Sequence, residues 1–141
     1  MTPGLAQANR KSWETLRNWL WERSQQTGLE WWWRTTLQVV DAARAEGWDE
    51  HFRAGQSMQH LIFSTAAEHG LELLPVQPPR VTLAFDQGRM FVAWSRSNLW
   101  FSEAERRTFV TEKDALAVLK QYLSDLWTET QGNEEMPRVL V

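Results

Sequence analysis

Arg80-Val81-Thr82-Leu83-Ala84-Phe85-Asp86-Gln87-Gly88-Arg89-Met90-Phe91-Val92-Ala93-Trp94 is the stretch that decides the fold class. Val81, Leu83 and Phe85 alternate with Thr82 and Ala84; Met90, Val92 and Trp94 alternate with Phe91 and Ala93. A period of two sends successive side chains to opposite faces of a strand. Asp86-Gln87-Gly88-Arg89 between the two runs has turn composition, with Gly88 free to take positive φ. Two strands joined this way form an antiparallel hairpin.

Toward the C-terminus, Ser95-Arg96-Ser97-Asn98 reads as a second turn and Leu99-Trp100-Phe101 as a short third strand. Arg107-Thr108-Phe109-Val110 is a fourth, so the expectation is a meander of three to four strands. The second face of this sheet, with Ala84, Phe91, Ala93 and Trp100, is poorly suited to water. Thr111-Glu112-Lys113-Asp114 resembles a capping box with Asp in the Glu position. It opens an amphipathic helix whose stripe is Ala115, Leu119, Tyr122, Leu123 and Leu126, ending near Thr130. Residues 132–141 read as a polar tail, whose terminal Val139-Leu140-Val141 is too short to be a core element alone.

Toward the N-terminus the period changes to 3.6. Thr2-Pro3 marks the start of a helix running to about Gln25, with Trp13, Leu16 and Leu20 on one face. Thr27-Gly28-Leu29-Glu30 has capping-box spacing and opens a second helix to about Glu46, closed by Gly47. At 100° per residue, Leu29, Trp32, Trp33, Thr36, Leu37, Val40 and Ala43 share its inner face, and Trp31 falls nearly opposite. Residues 48–54 suggest a short turn of helix. A third helix is expected over Ser57–His69, with Ser57 as N-cap, Gly70 as C′ residue and Met58, Leu61, Ile62 and Thr65 as its stripe. Pro75-Val76-Gln77-Pro78-Pro79 is a stiff linker. The fold expected is therefore α+β: three N-terminal helices packed on the meander, with the C-terminal helix on the sheet's other face or edge. Residues 1–131 would form a single domain: a helical part (1–74), the linker (75–79), and the meander with its helix (80–130).

Composition narrows the function classes. The chain has 141 residues and no cysteine, which excludes disulfides, thiolate zinc sites and cysteine nucleophiles. No stretch approaches the ~18 apolar residues of a membrane span, and the N-terminus lacks a signal-peptide pattern, so the expected location is cytoplasmic. The net charge of −3 is uneven: residues 80–110 carry +2 and all their cations are arginine, whereas the flanking segments carry −2 and −3. Ten residues are tryptophan, more than a core of this size holds completely.

No catalytic constellation stands out. His51, His60 and His69 are spaced by nine, which on a helix is half a turn out of phase and makes no metal pair. Gly55-Gln56-Ser57-Met58-Gln59 lacks the second glycine and the preceding strand of a nucleophile elbow. No cofactor and no metal is expected, and the lack of paired acids and bases weighs against an enzyme. The leading expectation is a small interaction or regulatory protein, docking another protein or a second copy of itself through Trp31, Arg34, Trp48 and Trp100. The alternative is nucleic-acid binding by the meander, through Arg89, Arg96, Arg106 and Arg107 beside its aromatic rings.

Overall fold

The computed structural model describes residues 3–26, 28, 30–57, 59–65, 79–95, 106–132 and 134–141. Two helices open the chain, α1 (Pro3–Ser24) and α2 (Glu30–Ala45), followed by a single 3₁₀ turn at Trp48–Glu50. Five strands follow: β1 (Arg53–Ser57), β2 (His60–Ser64), β3 (Arg80–Asp86), β4 (Arg89–Ser95) and β5 (Arg106–Val110). Helix α3 (Ala115–Thr130) and a 3₁₀ turn at Arg138–Leu140 complete the described elements. The strands form one antiparallel sheet in the order β1-β2-β3-β4-β5. The fold is α+β, with no helix among the described residues long and apolar enough to cross a membrane.

The β3–β4 hairpin follows the alternation of its sequence. Asp86 pairs with Arg89 across the turn, and both central residues have positive φ, 52° at Gln87 and 77° at Gly88. Positive φ at both positions is the type I′ geometry, whose twist matches that of the flanking strands. Val81 and Leu83 of β3 and Met90, Val92 and Trp94 of β4 join the main core with Ala54, Leu61 and Phe63 of the earlier strands. On the opposite face, Ala84, Phe91 and Ala93 form a separate buried cluster.

The layout differs from the expectation in its helices and strands. Ser57 and residues 60–64, expected within a third helix, belong to β1 and β2, and Ser57 pairs with His60 instead of capping a helix. A short apolar run such as Leu61-Ile62-Phe63 fits either period, so only its partners decide. Leu61 and Phe63 lie opposite Leu83 and Val81, and a strand there completes the sheet's core face. The remainder of that expected helix (residues 66–70), most of the proline linker and the strand expected at Leu99–Phe101 lie outside the described residues. Helix α3 is also displaced from its expected place. It packs on the same face as α1 and α2, through Leu119, Tyr122, Leu123 and Leu126.

Tryptophan side chains tie these layers together. Trp13 of α1 donates its indole N–H to the Phe52 carbonyl at 2.8 Å, and Trp32 of α2 donates to that of Gln59 at 3.1 Å. Trp48 donates to the Val139 carbonyl at 3.1 Å. Each indole thus buries a large apolar surface and still satisfies its donor on a distant segment. The last contact holds the C-terminal segment: Leu140 is buried in the main core, and its carbonyl accepts the Ser124 hydroxyl at 3.0 Å. The end of the tail, too short to be a core element alone, thus adds one residue to the main core. Before α3, the Thr111 N–H donates to the Asp114 carboxylate, which is the reciprocal half of the expected capping box. That bond holds the Asp114 carboxyl below its ordinary pKa.

Candidate functional site

The first turn of α2 directs Trp31 outward while Trp32 and Trp33 turn inward, since consecutive residues on a helix are 100° apart. Trp31 remains 41% exposed. Its ring meets Phe85 edge-on at 5.6 Å between centroids and Trp32 at 6.0 Å, so it is supported from below and open above. The type I′ turn ends at Arg89, whose guanidinium lies 3.9 Å from the centre of the Phe109 ring. Phe109 on β5 is 40% exposed and packs edge-on against buried Phe91 at 5.7 Å. Arg107, two residues earlier on the same face, lies 5.1 Å from the Phe109 ring and 5.3 Å from that of Phe91.

A groove of about 430 Å³ joins these groups, with Trp31 on one wall, Arg89 and Phe109 on the other, and Met90 and Val110 beneath. It bends round the corner of the sheet, because Met90 and Val110 face the helices while Arg89 and Phe109 face away. Glu112 closes one end, and its carboxylate accepts the Thr35 hydroxyl at 2.7 Å. The groove therefore offers two exposed aromatic rings, one stacked guanidinium and an apolar floor.

The expected site residues separate. Trp31 and Arg89 share the groove, and Arg107 adjoins it through Phe109. Arg34 is exposed on α2 but is not part of the groove wall. Trp48 is corrected from an exposed anchor to a core residue: it is 1% exposed, and its N–H is committed to Val139. The sequence following Gly47 gave no periodic face, so the segment that covers it could not be read locally. Arg106 is held elsewhere, 2.6 Å from Asp125 and stacked 4.0 Å from the centre of the Tyr122 ring, where it fastens β5 to α3. Arg96 and Trp100 lie outside the described residues.

The missed contributor is Phe109. It appeared only as part of an expected strand, and its exposure follows from β5 lying at the sheet edge. A second cleft, of about 330 Å³, lies between His51, Trp127 and residues 134–138. His51 meets Trp127 edge-on at 5.8 Å, and burial lowers its pKa against the opposing pull of Glu50 and Asp49. Glu134 and Glu135 line this cleft too, but neither hydrogen-bonds the imidazole, whose buried Nδ1 has no hydrogen-bond partner among the described residues. An acid–base pair needs that contact. Among the described residues, no group of three or more His, Asp or Glu is placed to hold a metal. Comparison of the chain with protein-family models, curated proteins and solved structures returns no match.

Proposed function

We propose that this chain is a small, non-catalytic interaction protein that docks a partner protein through the groove between Trp31 and Phe109. The observation that carries the reading is that two large aromatic rings, 41% and 40% exposed, flank one groove with Arg89 stacked on one of them. Aromatic rings and arginine dominate binding energy at protein interfaces, because they bury much area at little conformational cost. Both rings rest on aromatic neighbours, half-buried Phe85 and buried Trp32 beneath one and buried Phe91 beneath the other, so little ordering remains for binding to impose.

The test is capture of partners by tagged protein from lysate, with and without nuclease, using Trp31→Ala and Phe109→Ala as controls. Docking predicts a protein retained after nuclease and reduced at least about thirty-fold in affinity by either substitution, the scale of an interface anchor. Retention that ignores both substitutions would refute the groove as the docking site.

One observation favours a second reading, nucleic-acid binding. Arg89 and Arg107 both lie against an exposed phenylalanine, the combination of cation and stacking surface that single strands use. That reading predicts steeply salt-dependent binding of oligonucleotides, weakened by Arg89→Ala and Arg107→Ala. The acidic net charge and Glu112 at the groove's end favour the protein partner.

A further inference from the structure

The two edges of the sheet differ, and the difference specifies what kind of chain fits beside the groove. At the β1 edge, α1 lies alongside the strand: the Ser12 hydroxyl oxygen accepts the Ala54 N–H at 2.9 Å, and Trp13 takes the Phe52 carbonyl just before the strand begins. Strand β5, at the other edge, pairs with β4 on one side, and no other strand among the described residues pairs with it. An edge strand of this kind presents a row of backbone donors and acceptors to an incoming chain.

The side chains beside that row are selective. Arg10, Arg17, Arg44 and Arg106 each meet a carboxylate within ion-pair distance. Arg89 and Arg107 meet none among the described residues, and both lie over the Phe109 ring. A guanidinium that uses its flat face on a ring keeps its in-plane N–H groups, which form a fork matched to a carboxylate. Arg107 and Phe109 are two residues apart on the outer face of β5. A strand laid against β5 would set its own alternate side chains opposite this pair, within about 4.5–5.5 Å.

We propose that β5 accepts an extended acidic segment of another protein as a sixth strand of the sheet. Carboxylates at alternate positions engage Arg107 and Arg89, and an apolar residue of the same segment enters the groove against Trp31. The inference rests on the groove-docking reading and gives it a partner class. Backbone pairing supplies affinity without regard to sequence, and the arginine forks supply the preference for acid.

The experiment uses the full chain and an eight-residue peptide alternating glutamate and valine, with blocked ends. The controls are the same peptide with lysine in place of glutamate, and an oligothymidine. Expected are saturable binding of the acidic peptide, at least tenfold slower hydrogen exchange at amides of residues 106–110, and at least tenfold weaker binding by the Arg89→Glu, Arg107→Glu double variant. Circular dichroism checks that this variant, altered only at exposed side chains, remains folded. Equal binding of the lysine peptide, or binding without protection of β5, overturns strand addition. Absence of peptide binding overturns it as well, and the groove reading survives that result only if a nuclease-resistant, Trp31-dependent partner is still captured. Preference for oligothymidine overturns both.

Discussion

Trp31, Trp32 and Trp33 offer a comparison in which the same atoms are removed from adjacent positions. Trp32 is fully buried, lies 4.5 Å from Phe85 between ring centroids, and donates to the Gln59 carbonyl. Deleting a buried ring of this size costs about 3–5 kcal/mol, the lost transfer energy plus the cavity left behind. Gln59 is exposed, so water replaces the lost donor and adds little to that cost. Trp31 has roughly three fifths of its surface covered. Full burial of a large apolar side chain stabilises by about 1.5–3 kcal/mol, which gives roughly 1–2 kcal/mol at this coverage. No closed cavity forms, because the site opens to solvent. The edge contacts to Trp32 and Phe85 add about 1 kcal/mol, and alanine's helix propensity returns about half of it. Trp31→Ala should therefore cost about 2 kcal/mol and Trp32→Ala about twice that. With roughly 3–5 °C lost per kcal/mol for a chain of this length, the two melting temperatures should differ by about 6–10 °C. Thermal melts and urea titrations of both variants measure this, the slope in urea remaining constant if only native stability changes. Equal losses would refute the reasoning, by showing that Trp31 is packed as deeply as its neighbour and cannot serve as an anchor.

Further outcomes follow from single contacts. Burial lowers the pKa of His51 and His60 below the ordinary 6.5. The unfolded chain therefore takes up protons before the folded one does, so stability is full above pH 6.5 and falls as the pH drops through that value toward the folded pKa. Melting temperatures between pH 8 and 5 should show this decline, and His51→Gln should flatten it; an unchanged profile would show that His51 titrates freely when folded. Trp48→Phe removes the N–H that holds the Val139 carbonyl and should cost about 1–3 kcal/mol, with faster hydrogen exchange at residues 138–141. Exchange that stays slow there would mean that Leu140 alone seats the segment. Gln87 sits at φ 52°, which asparagine tolerates better, so Gln87→Asn should raise stability by a few tenths to about 1 kcal/mol. A drop in the urea midpoint would contradict the type I′ assignment.

Several features were legible because they depend on neighbours close in sequence. The alternation of 80–94 specified the β3–β4 hairpin, and the 3.6-residue stripes of α1, α2 and α3 specified which faces turn inward. The outward direction of Trp31 required only that α2 be a helix. The strand character of residues 60–64 was not legible because the apolar run Leu61-Ile62-Phe63 is too short to show a period, and the partners that make it a strand, Val81 and Leu83, lie some twenty residues away. The burial of Trp48 was illegible for the same reason, since its indole N–H is held by the Val139 carbonyl some ninety residues away.

The arginines show the division most clearly. The sequence by itself determined that 80–110 is the basic segment and that a strand starts at Arg107; that Arg106 joins the same strand, and so faces the opposite way, came from its pairing with Trp94. Only the tertiary structure decided that one of those faces carries α3, where Asp125 and Tyr122 engage Arg106, and that the other leaves Arg107 over Phe109. Likewise, the outward turn of Trp31 came from helix geometry, whereas its place opposite Arg89 came from the packing of α2 against the end of the sheet. Local backbone geometry sets the direction in which a side chain leaves its own element. What it meets there depends on contacts between segments far apart in the chain, which no local pattern encodes.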